Sequence, residues 1–588
     1  MQLVRRFRLP ALFCALAVLA CALVSRPYAN MGISDDGTYI RSAQRLLATG
    51  HILYNGVETP ILGWQLYLGA AFIRLFGFSL TTVRMSTLLV ALLTAWLLQR
   101  TLVLAGINER NATLGTLAFV LSPLYLELSV TYMTDIFGLF AVVICFYGCL
   151  RALQATGAPG EAGARGASRD RATIGWLCFA VVSNAIFGTS RQVAWLGVLV
   201  VVPSTLYLLR ERRRVLLAGA AATLAGAGFV FACMQWFKRQ PYSIPEHLEI
   251  HKRGGLNVLS AILHVSLEVP FLLLPMVVLF LPELRRDARR SVRVASAAFG
   301  IWLPILFLLH AMHAQDRPVL LPTMKDWVTR YDGYQDSNLA GYAPVFLGWE
   351  ARLLITLASV GGLLALIVSL VRGRRGSPEA DAEPPISWRD LCILVAPFLV
   401  AYALILAPRA SSAYGIYDRY LLEPLAVALP WLIRLYQERI QAQMPRAALL
   451  LVATTAVYGM AMTHNMFSLY RARVKLAAEL RSHGVPDTSV DNGWEYNFMV
   501  ELQHSNHIND PRIVVPSGAY VPSPPLPAGS CPMFWSDDTP HVRPIYGISF
   551  DPNACYGLAP FAPVRYTRWL ASSPGTLYVV RYLPPMKP

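Results

Sequence analysis

Thr134-Asp135-Ile136-Phe137-Gly138-Leu139-Phe140-Ala141-Val142-Val143-Ile144-Cys145-Phe146-Tyr147-Gly148-Cys149-Leu150-Arg151 begins beside an acid and meets no further charge until Arg151. Extended over residues 136–153, this run is long enough to cross a bilayer core, which takes about 20 helical residues. The rest of the chain has the same character. Its 588 residues are 55% hydrophobic and 15% charged, with mean hydropathy +0.45, whereas a soluble protein carries about 25% charge. A soluble multidomain enzyme, a disordered regulator and a disulfide-built secreted mini-protein are excluded. Working outward gives 13 candidate membrane helices, near 9–25, 81–103, 111–130, 136–153, 173–189, 193–209, 215–235, 262–282, 294–313, 351–371, 391–408, 420–436 and 447–465. The first follows Arg5, Arg6 and Arg8 and is read as an uncleaved anchor rather than a signal peptide.

The net charge of +16 resembles a nucleic-acid footprint until its placement is examined. The basic residues gather in alternate short connections, such as Arg151 to Arg171, Arg210 to Arg214, Arg285 to Arg293 and Arg372 to Arg375. Basic short loops stay in the cytoplasm, so the charge reports topology, with the amino terminus inside, the carboxyl tail outside and no nucleic-acid partner. Residues 1–465 form the membrane region, with outer loops 26–80 and 314–350, and residues 466–588 form a small extracytoplasmic α/β domain. Within that domain a helix over 471–482 and strands over 512–515 and 577–582 are expected. Seven of the nine cysteines lie in apolar runs, while Cys531 and Cys555 are the pair in the outer tail and are the disulfide candidate in an oxidising compartment.

Acids just beyond apolar runs are the first functional candidates, because burying them in hydrocarbon is costly. Asp35 and Asp36 open a stretch in which Ile40, Ala43, Leu46 and Leu47 recur at helical spacing, opposite Arg41, Gln44 and Arg45. The spacing predicts an amphipathic helix on the membrane surface, stopped by Gly50. Helix capping would account for one acid of the pair, not both. Asp135 lies at the outer end of its run, where Thr134 could cap equally well. Between them, Glu58-Thr59-Pro60 leads a second surface helix that ends at Gly77. Cation candidates at outer ends are Arg191, Arg419, Lys238, Arg239, Lys252, Arg253, Lys325 and Arg330. The segment 315–350, with Asp332, Tyr334 and Asp336, is long and aromatic enough for a lid or acceptor surface. The histidine pairs His247/His251 (with Glu249 between), His310/His313 and His504/His507 lack a fixed third ligand, so a divalent metal is a weak expectation.

At these residues the chain resembles a known family. The acid pair opening a surface helix, the acid before a Pro-led helix ending in Leu75-Phe76-Gly77, and Thr134-Asp135 starting a later span are similar to the GT-C glycosyltransferases. Tyr417-Asp418-Arg419-Tyr420-Leu421-Leu422-Glu423-Pro424 resembles an element of the branch that includes dolichyl-phosphate-mannose protein mannosyltransferases and bacterial lipid A aminoarabinose transferases. The resemblance implies a multi-pass protein of a bacterial inner membrane. It implies inverting transfer of a sugar from a polyprenyl-phosphate donor to a glycan, lipid or protein at the outer face, without a required cofactor. Asp35 is then the expected base among three catalytic acids, with Asp36 orienting the helix or substrate and Asp135 binding sugar hydroxyls or sharing the base's task, and Glu58, Arg191, Gln192, Arg419 and Tyr420 are expected substrate-binding residues. The chain departs from the aminoarabinose transferases at Glu58-Thr59-Pro60, where that group has a lysine for the lipid phosphate. A transporter or lipid flippase is the alternative, but it predicts ionisable groups in mid-span and two related halves. A non-enzymatic envelope assembly protein would leave the acid pair unexplained.

Overall fold

The computed structural model describes residues 9–156, 164–246, 254–312, 320–324, 326–331, 339–372, 386–412 and 415–584. Every one of the 13 apolar runs falls on helical segments. Among the described residues eight helices are long and apolar enough to cross a membrane, or nine if the bent pair Glu109–Val120 and Pro123–Ser129 is one span. That pair turns by 67° where Ser122 caps the second helix by accepting from Tyr125 N and Pro123 supplies a first-turn residue that needs no donor. The helix Asp135–Ala155 is the centre of the bundle: its apolar window is 78% buried, against 22% for Arg213–Phe237 at the edge. Its side chains enter both large apolar clusters, one built around the first 140 residues and the last spans, the other around residues 177–215 and 386–427.

Two shorter helices lie among these spans. Asp36–Thr49 ends where Gly50 adopts φ +74°, and Gly63–Phe76 ends where Gly77 adopts φ +81°; both φ values suit glycine. The polar face of Asp36–Thr49 is partly exposed and meets the carboxyl-terminal domain, with Arg45 donating to Asn506 at 2.8 Å and Gly37 lying against Met499.

The last span and the expected 471–482 helix form one uninterrupted helix, Ala447–Ser482. Its 36 residues reach about 54 Å at 1.5 Å per residue, well past a hydrocarbon core of about 30 Å. The domain at its end holds a four-stranded sheet in the order β1 (Val490–Asp491), β2 (Tyr546–Ser549), β4 (Gly575–Arg581), β3 (Val564–Tyr566). β1 and β2 are parallel and the other pairs antiparallel. The expected strand over 512–515 is absent. Asp510 accepts from the Arg512 backbone N–H at 2.7 Å, closing a turn, and Pro516 follows. Cys531 and Cys555 are disulfide-bonded.

Candidate active site

The turn before Asp36–Thr49 sends its two acids to different partners. Asp36 is fully buried. Its Oδ2 receives Arg84 Nε at 2.7 Å and its Oδ1 receives Arg84 Nη2 at 3.0 Å, while Ile33 N donates to Oδ1 at 2.7 Å. Arg84 also donates to the carbonyls of Ala29 and Met31. A charge pair this deep holds only when its remaining hydrogen-bonding capacity is met, as here. Asp36 is therefore a brace for the turn rather than an accessible catalytic acid.

Asp35 is different. It occupies the N-cap position of the helix without making a side-chain cap bond. Its side chain retains 22% exposure and meets Arg419 Nη1 at 3.9 Å, and Tyr39 Oη donates to Oδ2 at 3.4 Å. Burial raises its pKa. Arg419 and the Tyr39 hydroxyl oppose that rise, and the charges of Asp135 and Asp36 add to it. Asp135 is likewise no cap, since the Asp135–Ala155 helix has Thr134 at its N-cap with no side-chain cap bond.

Arg191 sits where the backbone breaks between two helical runs, at φ −148° between short 3-10 turns. Its Nη1 pairs with Asp135 and its Nε with Glu423 Oε1 at 3.0 Å. Glu423 also accepts from Tyr402 Oη at 3.1 Å. Asp135 Oδ2 is buried and has no hydrogen-bond partner among the described residues. Gly138, one turn into the same helix, makes room for this pair: a Cβ there would stand 2.8 Å from Arg191 Cδ and 3.0 Å from Glu423 Oε1.

Arg419 pairs with Asp326 Oδ2 through its Nε at 3.1 Å. The Tyr420 ring lies between three guanidinium groups, with Arg191 at 5.2 Å, Arg409 at 5.0 Å and Arg419 at 5.6 Å from its centroid. Beside Arg419, Asp418 accepts the backbone N–H of Trp327 at 3.0 Å and that of Val328. Burial pushes the Asp418 carboxyl up to about 8, with the Val328 N–H opposing and Glu268 reinforcing the rise. Glu268 accepts from Thr323 N at 3.1 Å. The described part of the expected lid is thus pinned against the site at residues 323, 326, 327 and 328.

The expected site residues divide by what holds them. Asp35, Asp135, Arg191, Arg419 and Tyr420 form one linked constellation. Glu58 does not join it as a substrate contact. Its Oε1 receives Ser42 Oγ at 2.6 Å and its Oε2 receives Asn55 N at 2.7 Å, and burial raises its carboxyl to about 7 against those bonds. Gln192 donates to the Thr59 carbonyl at 2.9 Å and so fixes the same loop. Lys238 and Arg239 are exposed, and Arg330 donates to Tyr331 Oη at 2.6 Å. Lys252, Arg253, Lys325, Asp332, Tyr334, Asp336, His247, Glu249, His251 and His313 lie outside the described residues. Among the described residues no group of three or more His, Cys, Asp and Glu side chains is arranged to hold a metal ion.

Sequence reasoning assigns no role to Arg84, Glu423, Tyr402, Asp326 and Arg409. Arg84 carries a usable signal, because an arginine inside an apolar run requires an acid partner.

No protein-family model and no curated protein matches the chain. Among solved structures, ArnT from Cupriavidus metallidurans in the apo state aligns with TM-score 0.36 and 15% identity, over 79% of this chain and 78% of that one. The same protein bound to undecaprenyl phosphate aligns with TM-score 0.37 and 16% identity, over 81% and 80%. The oligosaccharyltransferase AglB from Archaeoglobus fulgidus, solved with an inhibitory peptide and a dolichol-phosphate, aligns with TM-score 0.41 and 13% identity, over 90% of this chain and 64% of that one.

Proposed function

We propose that the chain is a membrane glycosyltransferase that moves a sugar from a polyprenyl-phosphate donor to an acceptor at the outer face, with inversion. The observation that carries this reading is the pairing of Asp35 with Arg419: a partly exposed carboxylate, free of capping duty and raised in pKa, beside a guanidinium at 3.9 Å. Inversion needs a carboxylate that takes the acceptor proton as its oxygen attacks the anomeric carbon. It also needs positive charge or hydrogen-bond donors on the departing phosphate.

In this reading Asp35 is the base. Arg419 and Arg191 present forked donors suited to phosphate oxygens. Both guanidiniums already hold carboxylates, so a phosphate must exchange with one of them. The loosest pairing is Arg419 with Asp35, and a phosphate drawn to Arg419 releases Asp35 for proton transfer. Asp135 has one oxygen on Arg191 and the other without a partner among the described residues, which suits it to a sugar hydroxyl. Tyr420 offers a ring face beside the same guanidiniums. Asp36, Glu58 and Gln192 act as positioning residues through Arg84 and the 55–59 loop. No step requires a cofactor.

The test is transfer of labelled sugar from membrane lipid by Asp35→Asn. The expected result is a collapse of transfer with expression and membrane insertion maintained. Transfer at the wild-type rate removes Asp35 as base.

A further inference from the structure

Away from the carboxylates, the helix Ala447–Ser482 borders an open groove of about 430 Å³ lined by Val457, Met460, Ala461, Trp569 and Leu570. The helical residues lie in the last apolar run, and the other two come from the carboxyl-terminal domain. The domain's 567–570 segment is fastened along the helix. Trp569 stacks on His464 at 3.9 Å and exchanges two hydrogen bonds with Asn465, and Thr567 meets His464 and Ser468. Leu570, at the tip, is 56% exposed and holds φ +59°. An exposed leucine beside a tryptophan at the end of a membrane helix is the composition of a water–lipid boundary.

Two arginines lie farther along the line of the same helix. Ser25 Oγ donates to the Met460 carbonyl at 3.3 Å, and Arg471 Nη1 donates to the carbonyls of Arg26 and Tyr28 at 3.0 Å. Arg26 therefore sits between the level of Met460 and that of Arg471, which are separated along the helix by about 16 Å. Its side chain is exposed and makes no hydrogen bond or ion pair among the described residues. The groups that act on the Arg471 guanidinium are Tyr28 and Arg26, with no carboxylate among them, and burial together with Arg26 holds its pKa below the usual value. Two arginines without an acid, farther along the helix from an apolar slot, form a complement to an anion carrying a hydrocarbon chain.

We propose that this groove holds one acyl chain of an anionic phospholipid of the surrounding membrane, with the lipid phosphate against Arg26 and Arg471. The order along the helix is the order of the lipid: chain beside Val457 to Ala461, headgroup toward Arg471. A bound lipid would fill the seam between the last span and the outer domain. The proposal is independent of the sugar-transfer reading, because no residue of the groove belongs to the carboxylate constellation.

The experiment is native mass spectrometry of the full-length protein in mild detergent, offered phosphatidylglycerol or phosphatidylcholine with identical chains. Wild-type protein is expected to retain phosphatidylglycerol about 25-fold better, about fivefold for each of the two basic residues near the anionic headgroup. Arg26→Gln should cut that preference to about fivefold, the share of Arg471, and the fold should tolerate it because the side chain is exposed and holds no hydrogen bond or ion pair among the described residues. Met460→Trp should lower retention of both lipids by filling the slot, with an unchanged unfolding midpoint as the check on folding. Equal retention of the two lipids by wild-type protein, or an undiminished preference in Arg26→Gln, overturns the proposal. So does displacement of phosphatidylglycerol by undecaprenyl phosphate together with loss of sugar transfer in Arg26→Gln, which would assign the groove to the donor.

Discussion

The carboxylates of Asp35 and Asp36 leave one turn for different partners: Asp36 is closed over by Arg84 at 2.7 and 3.0 Å, whereas Asp35 meets Arg419 only at 3.9 Å and keeps an open side. One acid spends its charge holding the turn, and the other is left available. Substitutions at the two positions should therefore fail in different ways.

Asp35→Asn is expected to lower sugar transfer by about 10²- to 10⁴-fold, the range of a lost general base, with little change in thermal unfolding. The check is transfer kinetics beside a melting curve in detergent.

Arg84→Met leaves the Asp36 carboxylate buried without its partner and should cost about 3–5 kcal/mol of stability. Asp36→Asn should cost less, since a neutral amide keeps part of the hydrogen bonding. Unfolding midpoints rank the two, and the opposite ranking would show that Arg84 is not the group held by the pair.

The pH profile follows from the raised pKa of Asp35. The base works ionised, so activity is present above its pKa and lost as pH falls through it. The acidic limb should lie above the ordinary aspartate value of about 3.9. Arg419→Gln removes a charge that lowers this pKa, so the limb should move to still higher pH. A limb that stays in place would mean that Asp35 is not the titrating base.

Gly138→Ala places a methyl group within 2.8 Å of Arg191 and 3.0 Å of Glu423. Overpacking of this kind costs about 1–3 kcal/mol. Because the strain falls on the Arg191 bridge, transfer should drop more than stability does. Comparing kcat with the unfolding midpoint checks this.

Cys531→Ser opens a bridge between residues 24 apart in the chain and should destabilise the carboxyl-terminal domain by about 3 kcal/mol. Limited proteolysis is the measurement, and cleavage should begin after Met466 with the membrane region intact.

Much of this site is legible in the amino-acid sequence. Asp35, Asp135, Arg191 and Arg419 announce themselves because a charge at the end of an apolar run has few inexpensive explanations. The roles of Asp36 and Glu58 are not legible there. What separates them from Asp35 is Arg84, 48 positions away, and Ser42 with Asn55 across a loop, and no local pattern encodes such pairings. The polar face of Asp36–Thr49 escapes a sequence reading for a related reason. Arg41, Gln44 and Arg45 look the same in sequence whether they meet water or a folded domain, and only the tertiary structure brings Asn506 to Arg45. The strand expected over 512–515 does not form because Asp510 and Pro516 supply turn chemistry on either side of an apolar stretch.

The continuous helix Ala447–Ser482 leaves no flexible joint between the membrane and the domain above it. Arg473 and Tyr470 on that helix grip Glu495, and Asn465 grips Trp569. These grips tie the domain to the helix along its length. Among the described residues, the stretch Asp326 to Val328 meets Arg419 and Asp418, and in the proposed reaction that hold has to yield for a phosphate to reach Arg419.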